Sequence, residues 1–407
     1  MTRARPGHSI SMTYYFVLAT VLFLSALARP YDGTSRRVSQ KLFDSLEELA
    51  RIVDITYCVG TTGIYKPFRC AGRCKEFEGF ELVKTWNTGP LLSDSCGYLA
   101  LSHPPWPKRI ILAFRGTYSI TNTIVDLSAV PQVYVPYPER PGRDDGGDRC
   151  LNCTVHAGFM TSWVNARAAI LGPLSDTIAK YPDYQLVVTG HSLGGAVAAI
   201  ASLELRARGW NPQVTTFGEP RIGNRALAEY LNDQFSLPTD SLPPSFVRNE
   251  EKSSPSFCRV THVDDPVPLL PLSEWGYYPH AGEIFISKPD LPPSLGNLRF
   301  CIGDADPRCS SHQRLLGLEE VAQLFNSDDK LYEHESCLER VHVEKYQDQY
   351  SMSVPMAYKP WDLFFAHRDY FWRIGVCLPK PENWIPGWKD PKWPWKWKWK
   401  WPWQSRI

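Results

Sequence analysis

The sequence has almost no net charge. Its 44 Lys and Arg residues against 43 Asp and Glu leave +1 over 407 residues. Whole-chain charge therefore gives no footprint for nucleic acid or an acidic partner. Long apolar runs are missing after the N-terminus. No later segment reaches the roughly 20 apolar residues that a bilayer span needs. Internal repeats are absent, so no stacked-repeat architecture is expected. Close cysteine pairs such as Cys150-x-x-Cys153 lack neighbouring ligands in suitable pairs, so neither a metal nor a cofactor is expected. Disorder is excluded for the bulk of the chain, which is 43% hydrophobic and 21% charged.

What is present begins with the N-terminus. Arg3 and Arg5 precede an almost wholly apolar stretch, residues 14–27, that ends in Ala26-Leu27-Ala28. Basic start, short apolar core and small-x-small site read as a signal peptide over residues 1–28. An uncleaved membrane anchor is the alternative. The 11 cysteines fit an oxidising compartment, where closely spaced pairs usually form disulfides. Their odd number leaves at least one thiol unpaired or intermolecular.

Periodicity gives a coarse organisation. Residues 36–53 place Leu42, Leu46, Leu49 and Val53 near one helical face. Residues 108–115 hold Ile110-Ile111-Leu112-Ala113-Phe114, a buried strand. Residues 130–147 are rich in Pro, Gly and charge and read as loop. A helical pattern spans residues 158–180, a strand 184–189, and an Ala- and Leu-dense helix 194–208. Further strands are expected at 214–217, 257–262 and 283–287, with a helix at 224–233. Residues 236–256 resemble a surface insertion. Residues 288–354 are mostly polar, with a helical piece near 315–325. Strands alternating with helices imply a mainly parallel sheet covered on both faces.

Gly190-His191-Ser192-Leu193-Gly194 lies between a buried strand and a helix. That context marks a nucleophile elbow, in which glycines flank a serine on a turn too tight for side chains. Ser192 would then sit at a helix N-terminus, where backbone N–H groups favour developing negative charge. Leu193 N–H is one candidate donor. The same segment would also suit an ordinary strand–turn–helix. A serine hydroxyl needs a base, and the base an orienting carboxylate. In the α/β-hydrolase fold the order is Ser, then acid, then His. Candidates for the base include His262, His280, His312, His334 and His367. Asp264 and Asp265 directly follow a strand, where the acid belongs, and either could also initiate a turn before Pro266. The residues alone do not choose among them.

At this point the chain resembles the fungal class 3 lipases, the group of the Rhizomucor and Thermomyces enzymes. The segments that carry the likeness are Phe114-Arg115-Gly116-Thr117, His156-Ala157-Gly158-Phe159, Gly190 to Gly195, Phe217-Gly218-Glu219-Pro220-Arg221-Ile222-Gly223-Asn224 and Asp265-Pro266-Val267-Pro268-Leu269-Leu270-Pro271. The resemblance implies an α/β-hydrolase domain over residues 29–380, stabilised by disulfides. It implies Ser192 as nucleophile, Asp265 as acid and His367 as base, with Thr117 joining Leu193 as an oxyanion donor. His280 matches a position that is not the base. Cys58 with Cys377 would form a long bridge, and Cys70/Cys74, Cys150/Cys153 and Cys301/Cys309 local ones. Cys96, Cys258 and Cys337 stay unassigned.

The implied activity is hydrolysis of carboxylic esters, most of all triacylglycerols, by a secreted enzyme working at a lipid–water interface. A phospholipase A1 or a feruloyl-type esterase would use the same chemistry. A lid is implied over residues 118–130, where Ile120, Ile124 and Leu127 share a helical spacing and Val125 adds apolar surface. Thr123 stands where the family often has tryptophan. The C-terminal residues 381–407 differ from the rest. Eight of the 15 tryptophans lie between Trp384 and Trp403, alternating with lysines over 395–401. Indole rings favour the lipid–water boundary and lysines favour anionic head groups, so this tail is expected to contact membranes. A membrane-binding or antimicrobial protein acting through that tail is the reading from another class.

Overall fold

The computed structural model describes residues 36–89, 94–117, 131–136, 150–240, 255–304, 306–312, 365–375 and 377. An eight-stranded sheet forms its centre. In chain order the strands are β1 (Phe80–Asn87), β2 (Cys96–Ser102), β3 (Arg109–Phe114), β4 (Gln185–His191), β5 (Gln213–Phe217), β6 (Phe257–His262), β7 (Glu283–Ile286) and β8 (Leu298–Phe300). They lie side by side in that same order. Pairings from β3 through β7 are parallel, and the two at the β1 edge and the one at the β8 edge are antiparallel.

The expected strands and helices over the described residues are present, with ends shifted by a few residues. Helix α1 covers Gln40–Ile55, α2 Ala157–Lys180, α3 Leu193–Ala207 and α4 Arg225–Phe235. Helix α1 starts later than its apolar spacing suggests because the Ser39 side chain caps it, accepting from Leu42 N–H. Strand β3 explains why its sequence is apolar throughout. Ile110, Leu112 and Phe114 enter the core beneath α2, α3 and α4. Ile111 and Ala113 enter a second core against α1 and the C-terminal segment. A strand covered on both faces has no polar side to show. Helix α3 is buried along nearly its whole length, pressed between sheet and α2, and its small residues permit that approach.

Three strands and one short pairing depart from the sequence reading. Strand β1 alternates, but a register shift between Leu82 and Lys84 breaks its period. Strand β2 is wholly buried, yet carries Gly97 and Ser102, which blur an apolar run. Strand β8 is only three residues long. Within the expected loop, Pro131–Val133 pairs with Thr154–His156, because the Cys150–Cys153 disulfide holds the second segment in place. The expected helix near 315–325, the 241–254 part of the insertion and Cys337 lie outside the described residues.

All four disulfides implied by the resemblance form: Cys58–Cys377, Cys70–Cys74, Cys150–Cys153 and Cys301–Cys309. Cys96 and Cys258 are buried free thiols. Burial raises both thiol pKa values, that of Cys258 to about 12. Glu283 approaches the sulfurs of Cys301 and Cys309, but those sulfurs are bonded to each other. The Glu283 carboxylate instead accepts from Thr261 and from Ser310 N–H.

Candidate active site

The site gathers at the carboxyl end of the parallel strands. Strand β4 ends at His191, and α3 begins at Leu193, leaving Ser192 alone to reverse the chain. It does so at φ 60° and ψ −132°. A non-glycine residue there is strained, and such strain persists only where neighbours enforce it. Here the neighbours are backbone. A Cβ on Gly190 would lie 2.1 Å from the Gly194 carbonyl oxygen, and one on Gly194 2.5 Å from the Phe114 carbonyl oxygen. Both glycines are needed to let strand, turn and helix meet. Leu193 then stands at the first helical position, where its N–H has no carbonyl to reach within the helix.

The chain leaving β3 passes directly over this turn. A Cβ on Gly116 would come within 2.8 Å of Ser192 Cβ and 2.6 Å of the His191 carbonyl oxygen. Thr117, next in line and half-buried, is the last described residue before the segment that contains Ile120, Ile124, Val125 and Leu127. Those four lie outside the described residues.

Asp265 follows β6, and His367 sits in the C-terminal segment. His367 Nδ1 donates to both Asp265 carboxylate oxygens at 3.0 Å. Val267 N–H donates to Oδ1 at 3.0 Å, and the Tyr370 hydroxyl donates to Oδ2. Ser192, Asp265 and His367 are at most 1% exposed. Of the two candidate acids, Asp265 faces the histidine, whereas Asp264 is exposed and takes a left-handed turn at φ 69°. Among the described residues, Ser192 Oγ and His367 Nε2 are both buried and without a hydrogen-bond partner, so no bond joins them here. Such bonds often tighten only with substrate.

Two further residues fix His367 from behind. His191 Nε2 lies 2.7 Å from the His367 carbonyl oxygen, and the Tyr57 hydroxyl 2.6 Å from His191 Nδ1. A carbonyl only accepts, so His191 Nε2 carries the proton and Nδ1 accepts from Tyr57. Burial, and then the nearby His367, push the His191 pKa well below its usual 6.5. Burial and the adjacent Asp265 charge push the Tyr370 phenol well above its usual value, so it remains a donor. Sequence reasoning did not single out Tyr57, His191 or Tyr370. The available signal for Tyr370 was its position three residues after His367, one turn on.

Two of the other candidate histidines are otherwise engaged. His280 Nε2 donates to Glu219 at 2.9 Å, with Nδ1 2.7 Å from the Ala281 carbonyl. His262 donates to the Lys288 carbonyl at 2.9 Å. His334 lies outside the described residues. The C-terminal segment is anchored by Cys58–Cys377, by Gly375 N–H donating to Asp54, and by Phe371 set edge-on against Phe43 at 5.2 Å.

Residues 111–275 match the family model described as lipase (class 3). Lipase A of Sodiomyces alcalophilus is 49% identical over 379 residues, covering 87% of this chain and 86% of that protein. The secreted mono- and diacylglycerol lipase 2 of Gibberella zeae is 45% identical over 384 residues, 87% of each. Among solved structures, Lip2 lipase of Yarrowia lipolytica superposes with a TM-score of 0.63 at 29% identity, covering 84% of this chain and 97% of that one.

Proposed function

Because this chain belongs to the class 3 lipases, and so is a carboxylic-ester hydrolase of the α/β-hydrolase fold, we propose that it cleaves acylglycerols through an acyl-enzyme on Ser192. The observation that carries this reading is the meeting of three distant segments. Gly116 passes over the strained Ser192 at a helix N-terminus, and the buried His367–Asp265 pair packs against His191, the residue before that serine. Ser192 Oγ attacks the ester carbonyl while His367 Nε2 takes its proton. Asp265 holds the imidazole tautomer and stabilises its cation. Thr117 and Leu193 N–H groups receive the oxyanion, each worth about 2.7–4 kcal/mol in systems of this kind. His367 then protonates the leaving glyceride oxygen, and water, deprotonated by the same histidine, releases the fatty acid.

Triacylglycerol is the first substrate proposed. A second reading, partial acylglycerols, is favoured by the Gibberella relative and by a relative from Penicillium cyclopium, both named mono- and diacylglycerol lipases. Residues 118–130 act as the lid over Ser192 in this proposal, with Ile120, Ile124, Val125 and Leu127 turned towards lipid when it opens. Residues 1–28 direct export, consistent with relatives named as secreted. Residues 381–407 hold the enzyme at the lipid surface. No helix among the described residues is long and apolar enough to cross a membrane.

The test is release of fatty acid from emulsified tri-, di- and monoacylglycerols by wild type and Ser192→Ala. Wild-type turnover with none in Ser192→Ala supports the reading, and the ratio among glycerides assigns the substrate. Equal turnover in Ser192→Ala would overturn it.

A further inference from the structure

The export reading gives weight to a second motif. Asn152-Cys153-Thr154 is the one Asn-x-Ser/Thr triplet in the 407 residues. In a chain passing through the secretory pathway, such a triplet accepts an N-linked glycan. We propose that Asn152 is a glycosylation site, a role resting on the proposed export of this enzyme.

The local fold leaves Asn152 available. It is exposed and lies beside Leu151, itself 74% exposed, on the short loop closed by the Cys150–Cys153 disulfide. Its backbone takes the left-handed conformation at φ 59°, which asparagine tolerates better than most residues. What the fold takes from Asn152 is its main chain: the carbonyl oxygen accepts from Asn224 Nδ2 at 2.8 Å. Among the described residues its side-chain amide has no hydrogen-bond partner. A sugar on that nitrogen would break no hydrogen bond among the described residues. A buried or bonded asparagine in the same triplet could not carry one without unfolding its surroundings.

The chemistry is a balanced transfer. The Asn152 amide nitrogen bonds to the anomeric carbon of an oligosaccharide carried on a lipid pyrophosphate. The sugar–phosphate bond breaks, the pyrophosphate leaves with the electron pair, and the nitrogen loses a proton. The folded triplet is not extended and free. Thr154 pairs with Val133 across the short hairpin, and its N–H and carbonyl both bond to Asn224 at 3.0 Å. Transfer therefore precedes closure of hairpin and disulfide.

The position has a consequence for the site. Helix α2 returns along the sheet from its carboxyl end, so the loop before it stands at the same end as Ser192. A glycan there places a bulky hydrophilic group on the rim of the proposed lipid-facing end, next to the strand Pro131–Val133 that follows the proposed lid.

The test uses the full chain secreted by a glycosylating fungal host. N-terminal sequencing establishes export. Peptide N-glycosidase in heavy-oxygen water, followed by mass spectrometry, establishes the site. The expected result is heavy-labelled Asp at position 152, a mobility shift on deglycosylation, and loss of both in Asn152→Gln and Thr154→Val. Thr154→Ser should keep the glycan. A secreted, disulfide-closed wild type with bare Asn152 overturns the glycan alone, as does a glycan that survives in Asn152→Gln. A chain that keeps residues 1–28 and never enters the secretory path overturns export, and the glycan with it.

Discussion

At the scale of single residues, the site depends on groups that never touch substrate. Tyr370 holds one oxygen of Asp265 and Val267 N–H the other. Hydrogen bonds to charged groups are worth about 1.5–3 kcal/mol. Losing the phenol leaves Asp265 freer to turn away from His367. Tyr370→Phe is expected to lower kcat by roughly tenfold, since about 1.36 kcal/mol is a factor of ten, with KM for a water-soluble ester unchanged. A KM effect alone would remove Tyr370 from this role. His191 makes a different prediction. Its folded pKa is depressed below 6.5, so below pH 6.5 the unfolded chain takes up a proton that the folded chain refuses. Its contribution to stability is complete above that pH and is lost as pH falls towards the depressed value. Denaturant titrations between pH 7 and 4 should show stability falling with pH, with a shallower fall in His191→Phe. His262 is shifted in the same direction by burial and adds to the slope that remains.

At the scale of elements, the sequence was informative wherever one structural demand governed a segment. The elbow was readable because Gly190 and Gly194 answer to backbone clashes that no other residue relieves. Strand β3 was readable because burial on both faces makes it apolar without interruption. Strands β1 and β2 were hidden by a register shift and by small polar residues, which are choices of packing. Asp265 and Asp264 were indistinguishable because adjacent residues on a turn point opposite ways, and only the fold says which way faces His367. Tyr57 and His191 could not be found from spacing, since their partner lies in the C-terminal segment. The element most exposed to disruption is that segment. Cys58–Cys377 closes a separation of 319 residues, and bridges over long loops contribute roughly 2–5 kcal/mol. Replacing both cysteines by serine should lower the denaturation midpoint accordingly. Activity should be lost at temperatures below the global melt, because the segment that frays carries His367. Coincident loss of activity and fold would show that the bridge does not secure the site separately.

At the scale of the whole molecule, the proposed function makes the contributions of hydrolase body and tail separable. Deleting residues 384–407 should leave hydrolysis of a dissolved short-chain ester unchanged, and should weaken sedimentation with anionic vesicles and turnover of emulsified glycerides. Unchanged vesicle binding would end the anchoring proposal. The Cys58–Cys377 bridge bears also on when the enzyme becomes dangerous. Ser192, Thr117 and Asp265 are synthesised well before His367, the proposed base, which reaches them only once the C-terminal segment that Cys377 ties to Cys58 has emerged. On the proposed export and catalytic roles, the nascent chain would thus hold a nucleophile with no base. On that proposal, competence against lipid arrives only with completion of the chain, and the Cys58–Cys377 bridge then secures it.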